Sequence, residues 1–292
     1  MSALLCARSL RVDVGDVPTL DGLTFETRGD RVLVVAAARA LFQAAAGLRG
    51  VAHGSLLVEG TTPFSAVRGG LAACAPLDPP LPPRWTLAEY VGWSARLAGH
   101  SRSAATALAA DAMGRMGLVP LARTRLRSAA RTARRATVVA AALAAAPRTL
   151  LLEDPLAALS TEEGHALATT LAEALQDRRW AIFAAPMPRE SPLVGAATEA
   201  VVLDGSHVAG QGAPGALAPA PESYALRVAG DVTAFVAAVE AEGARIVEPP
   251  QAERPARLSV NLGSLRTRDL LRIALASSAV VVELRPLPAA FR

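Results

Sequence analysis

Residues 149–203 alternate strand-length apolar runs with a helix-length segment, and no other feature of the sequence restricts the fold as strongly. The run at 149–152 ends at Glu153-Asp154-Pro155, a helical pattern covers 161–176, and strands are predicted at 180–184 and 200–203. Strands that read as unbroken apolar runs and alternate with helices form largely parallel sheets covered on both faces. The class predicted for this part of the chain is α/β.

Ahead of it, strand-like runs at 10–14, 23–27, 31–35 and 55–58, the last closed by Glu59-Gly60, predict a small antiparallel β region surrounding a first buried strand. An alanine- and leucine-rich helix is predicted at 36–48. Residues 76–84, mostly proline, aspartate and leucine, predict an extended loop. From 86 to 146 the pattern is helical, with a boundary near 117–120 and a last helix over about 129–146 that Pro147 stops. A proline- and alanine-rich link at 212–221 marks a boundary. Beyond it come strand 224–228, helix 231–242, strands 245–247 and 257–261, helix 266–276 and strand 280–285, the βαββαβ order of a ferredoxin-like sandwich.

Composition removes several function classes. Of the 292 residues 52% are hydrophobic and 19% charged, far from the disordered regime. The longest uncharged apolar run, 136–147, is about half of the ~20 residues that cross a bilayer, so neither a secreted nor an integral membrane protein is expected. Cys6 and Cys74 lie far apart, and His53, His100, His165 and His207 are scattered, so no metal site is expected. The formal charge is only +4, and the dense basic stretch 123–135 holds no aromatic residue, so nucleic acid is not the expected partner. Every basic residue apart from histidine is arginine, and a chain without lysine has neither a P-loop lysine nor a Schiff base.

Four landmarks, in order, resemble an ABC-transporter ATP-binding subunit. Thr19-Leu20-Asp21-Gly22-Leu23-Thr24-Phe25 looks like the strand before the P-loop strand, and Ala46-Gly47-Leu48 with Gly54 to Gly60 looks like the end of the P-loop helix and the next hairpin. Trp85-Thr86-Leu87-Ala88-Glu89-Tyr90 resembles the start of the helical subdomain, and Ala144 to Leu159 the stretch from signature helix through Walker B to the D-loop. Val202-Leu203-Asp204-Gly205 and Gly212-Ala213-Pro214 match the closing hairpin, and the tail from Glu283 to Phe291 resembles that of exporter ATPases whose membrane domains are separate chains. The resemblance implies a degenerate ABC nucleotide-binding domain of P-loop NTPase-like fold over 1–215, with an antiparallel β subdomain and a helical subdomain at about 86–146. A ferredoxin-like α+β domain is expected over 222–292.

It also implies where chemistry would sit. A P-loop cradles phosphate with glycine-rich backbone, a lysine and a Ser/Thr, and here the stretch reads Val34 to Leu41, four residues short of the family's spacing between Gly29 and Gly47. Ala38 and Arg39 fall at the lysine and hydroxyl positions, and Arg39 reads as a helix-start arginine. The Walker B acids read Glu153-Asp154, exchanged relative to the family order. The Q-loop glutamine falls at Leu77, the switch histidine at Pro186, the D-loop aspartate at Ser160, the signature serine and glycine at Ala130 and Thr132, and the adenine-stacking aromatic at Val14.

Phosphoryl transfer rests on positioning and charge neutralisation, so the expectation is a pseudo-ATPase without cofactor or metal that docks on a membrane permease subunit, on an active ABC ATPase, or on a second copy of itself. The expected location is cytoplasmic, peripheral on the inner face of the cell membrane. Two alternatives stand beside it: a slow ATP and magnesium-dependent ATPase using Glu153 and Asp154, and a soluble adaptor that has left transport.

Overall fold

The computed structural model describes residues 2–15, 17–36, 38–217, 223–251, 253–263 and 265–286. Two compact units divide the chain, residues 1–217 and 218–292.

In the first unit β1 (Leu5–Val14) and β2 (Val17–Glu26) pair antiparallel. After β3 (Arg31–Val35) and α1 (Ala38–Ala45), β4 (His53–Val58) returns to the free edge of β1, giving a sheet in the order β2-β1-β4. β1 and β2 are longer than their apolar patterns predict, because register shifts along the pair break the alternation that marks a half-buried strand. At one irregularity Ser9 takes φ 46°, and a Cβ on Gly54 of the facing strand would lie 2.2 Å from the Ser9 carbonyl oxygen, so only glycine fits there. β3 leaves this antiparallel region for a second sheet.

Two elements absent from the sequence prediction come next, α2 (Pro63–Arg68), capped by the Thr62 hydroxyl with Pro63 at its first position, and β5 (Ala72–Ala75). The predicted 76–84 loop has no regular structure. The helical segment holds α3 (Leu87–Leu97), begun by a Thr86–Glu89 capping box, α4 (Arg102–Arg115) and α5 (Arg131–Ala144). Short 3-10 turns, Val119–Leu121 and Leu126–Ser128, stand between α4 and α5, so the helical prediction is interrupted over this stretch. α5 is buried on nearly every face, and its one buried hydroxyl, on Thr137, is satisfied by donating to the Ala133 carbonyl.

β6 (Thr149–Glu153), α6 (Thr161–Ala174), β7 (Arg179–Ala184), a short α7 (Pro192–Ala196), β8 (Glu199–Asp204) and β9 (His207–Gly212) complete the unit. The sheet order is β5-β6-β7-β3-β8-β9, parallel throughout except for the β8–β9 hairpin. All five residues of β6 and four of the five in β3 are buried, as strands covered on both faces require. Phe42 of α1 meets Phe183 of β7 edge-on at 5.6 Å, and Arg115 of α4 grips Asp177 with both terminal nitrogens at 2.8 and 3.2 Å.

The second unit runs β10 (Ser223–Gly230), α8 (Val232–Ala241), β11 (Arg245–Glu248), β12 (Ala256–Asn261), α9 (Thr267–Ala276) and β13 (Ala279–Pro286). The sheet is antiparallel in the order β11-β12-β10-β13, the split βαβ arrangement of a ferredoxin-like fold. Leu226, Val228, Leu258 and Val260 of the strands pack with Phe235, Val239, Leu270 and Ile273 of the helices. Residues 218–221 of the link and 287–291 of the tail lie outside the described residues. No helix among the described residues is long and apolar enough to cross a membrane.

Candidate functional site

Parallel strands carry their chemistry at their carboxyl ends, and β3, β6 and β7 lie side by side with those ends aligned. From this edge the chain must turn into α1, the D-loop stretch and α7.

At the end of β3 the turn is short. β3 ends at Val35 and α1 begins at Ala38, so at most two residues separate them. Ala36 is held at φ 63°, its N–H donating to the Ala184 carbonyl at 3.1 Å, and this left-handed residue delays the helix beyond the predicted start at 36. A G-x-x-x-x-G-K-[ST] cradle needs several more residues between strand and helix. Ala38 opens the helix and Arg39 follows it.

Glu153 ends β6 with its carboxylate almost wholly enclosed. Its Oε2 accepts the backbone N–H of Leu77 at 3.0 Å, and Arg39 Nε stands 3.5 Å from Oε1, which accepts no hydrogen bond. The structure therefore brings together three residues that the sequence placed at the P-loop, the Q-loop and Walker B. Arg39, at the helix start, also sets its charge beside a buried carboxylate, and Leu77, whose side chain has no polar atom, contributes through its main chain. Neither pairing had a sequence signal, because both link segments far apart in the chain.

Asp154 sits beyond the strand at φ 34°, its N–H bonded to the Phe183 carbonyl at 2.7 Å and its carboxylate accepting the Ala185 N–H at 3.3 Å. Burial pushes the Asp154 carboxyl up from its usual value, against the Ala185 bond and the charge of Arg135, which lower it. The Arg135 guanidinium, itself buried, donates to the carbonyls of Asp154 and Pro155 at 3.1 and 3.3 Å. Adjacent acids thus point into different surroundings, Glu153 toward Leu77 and Arg39, Asp154 toward β7 and α5. Asp154 and Pro186, where the sequence resemblance put the switch position, both line a cavity of about 490 Å³ that also includes His165 and the buried Ser191 hydroxyl.

The remaining positions have structural occupations. Ser160 caps α6 in a reciprocal box with Glu163. Ala130 stands at the N-cap of α5 without a side-chain hydrogen bond, and Thr132 lies in that helix's first turn. Val14, at the end of β1, is 44% exposed. Among the described residues no group of three or more His, Cys, Asp or Glu side chains is placed to hold a metal ion.

A mostly parallel sheet joined to an antiparallel three-stranded sheet, with a helical segment inserted between β5 and β6, is the architecture of an ATP-binding cassette. Solved structures bear this out. CbiO1 from Clostridium perfringens, part of the ABC transporter complex CbiONQ, matches with a TM-score of 0.63 at 17% identity over 74% of this chain and 91% of that chain. MJ1267, an ATP-binding cassette of an ABC transporter, matches at 0.61 and 13% identity over 73% of this chain and 92% of its own. A bacterial Atm1-family ABC exporter with ATP bound matches at 0.58 and 18% identity, over 74% of this chain and 39% of that one. No family model and no curated protein matches the sequence. At these identities the likeness is one of fold: the chain has the fold of an ABC-transporter ATP-binding subunit.

Proposed function

We propose that this chain is a non-hydrolysing ABC-transporter subunit that serves as a docking scaffold for a membrane permease, for an active ATPase partner, or for both, on the cytoplasmic face of the membrane. The observation that carries the reading is the edge around β3 and β6. Two residues join β3 to α1, there is no lysine, and the acid at the magnesium position is met by Arg39. The donor set does not fit a magnesium nucleotide: a cation beside Glu153 Oε1 would contend with the guanidinium, and phosphate would lack its encircling N–H groups. The sheets, helical segment and closing hairpin are meanwhile intact.

Docking is supported by apolar surface on the helical segment, where Trp93 is 43% exposed beside Trp85 and Leu97 is 65% exposed. CbiO1, which shares the fold, is part of an ABC transporter complex, and this supports assembly for the present chain. The test is calorimetric titration of the purified chain with ATP and magnesium into the millimolar range, together with co-purification from its own cell. No saturable heat that requires magnesium and a permease or ATPase in the eluate are expected. Saturable ATP binding that requires magnesium, or elution of the chain alone, overturns the reading.

A further inference from the structure

We propose that the cavity between the 76–84 loop and the start of α5 binds a small phosphorylated molecule, at a site separate from the β3–α1 edge. The cavity measures about 500 Å³, within the roughly 300–1,000 Å³ typical of small-molecule sites. Arg127, Arg131, Arg134 and Arg135 line it, and the one acid among its lining residues is Asp78.

These guanidiniums are not equivalent, and the difference suits an anion site. Arg135 is buried and fixed by two carbonyls, with Asp78 Oδ1 3.9 Å from its Nη2. Arg131 is anchored through Nη1 on the Ala158 carbonyl at 2.8 Å. The side chains of Arg127 and Arg134 meet no hydrogen-bond or ion-pair partner among the described residues, so their planar donor arrays remain available. Four like charges around one hollow repel each other, and burial already weakens the hold of Arg135 on its proton. An anion with two or more charges relieves both burdens, and guanidinium forks match phosphate oxygens in geometry. The uncapped positive end of α5 adds to the same field.

The rest of the lining argues for a small molecule rather than an acidic protein segment. Leu81, Leu126 and Val138 give the hollow an apolar side suited to a planar or aliphatic body attached to the phosphate. A cavity lined by both guanidiniums and apolar side chains suits an amphipathic anion of about nucleotide size. Binding in this cavity does not depend on whether the β3–α1 edge hydrolyses ATP.

The test is calorimetry of the full chain with inorganic pyrophosphate, AMP and a poly-glutamate peptide, all in EDTA so that magnesium nucleotide binding is silent. Saturable binding of pyrophosphate, tighter binding of AMP, and weakening of both by about tenfold or more in R127Q/R134Q are expected, since charge-assisted hydrogen bonds to phosphate are the strong ones. Should the double variant melt below the parent, Arg127→Gln alone at its exposed site carries the test, with a weakening of about threefold or more expected from a single guanidinium. The proposal is overturned by no saturable binding of either phosphate probe, or by binding that these variants leave unchanged. Binding abolished by Arg39→Ala but kept in R127Q/R134Q also overturns it, as does a peptide that outcompetes both phosphates.

Discussion

Arg39 and Glu153 face each other with opposite exposures: the arginine side chain is 76% open to solvent, the glutamate side chain 9%. The carboxylate therefore bears most of the desolvation while the guanidinium stays hydrated, and the pair acts as a fixed counter-charge more than as a source of stability. Restoring the family order of acids with E153D/D154E is expected to give no phosphate release above a protein-free blank, because neither the phosphate cradle nor the lysine returns with it. Malachite-green or coupled-enzyme assays read this directly, and turnover in the exchanged variant would contradict the reading.

Glu59 should be the costlier carboxylate to lose. It turns the chain at φ 52°, its side chain is enclosed, and it takes Arg179 Nη1 at 2.7 Å and the Thr149 hydroxyl, with Arg148 Nε at 3.5 Å. Glu59→Ala leaves these groups facing a void, and a loss of about 3 kcal/mol is expected, the lower end for breaking a buried pair, because Asp30 still holds Arg179. Urea unfolding measures it, and a loss below about 1 kcal/mol would place Glu59 among ordinary surface acids.

Asp154→Asn is expected to stabilise the protein at neutral pH. A carboxyl whose folded value is raised contributes stability in its protonated form, fully present below the unfolded value and lost as pH rises through the folded one. At neutral pH the native protein therefore carries the cost of a charged, partly buried Asp154. Asparagine keeps an acceptor for the Ala185 N–H and removes the charge. Thermal melts should show the variant ahead by a few degrees at pH 7, with the gap shrinking as pH falls through the raised value and gone below about pH 4, near the ordinary aspartate value; a gap that widens in acid would reverse the assignment.

Cys74 should be chemically quiet. Burial pushes its thiol up to about 12, so at pH 8 the reactive thiolate is roughly one part in ten thousand. Iodoacetamide at pH 8 followed by peptide mass mapping should leave Cys74 unlabelled in the native protein and label it fully in denaturant. Native labelling within minutes would show that β5 opens readily.

The parts of the fold legible in the sequence were those set by local apolar pattern. β3 and β6 read correctly because Val32 to Val35 and Leu150 to Leu152 are short unbroken apolar runs bounded by turn signals, and the βαββαβ order of the second unit matches its sheet. β5 escaped because Ala72-Ala73-Cys74-Ala75 has no branched or aromatic side chain, and its strand character comes from pairing with β6. α2 escaped because its start signal, Thr62 before Pro63, is followed by only six helical residues. The site positions could be assigned from their order along the chain, but their contacts could not. That Leu77 would answer Glu153 through its main chain depends on where the sheet brings the 76–84 loop.

The two-residue join between β3 and α1 sets a limit of a different kind. A residue adds at most about 3.6 Å of reach whatever side chain it carries, so two residues cannot be lengthened by exchanging them. No succession of single-codon substitutions gives this join the length of a G-x-x-x-x-G-K-[ST] loop; that needs inserted sequence. On the proposed non-hydrolysing reading, point-mutation libraries of this chain should return no ATPase, whatever their depth, while transplanting a full-length loop is the smallest change that tests the edge afresh.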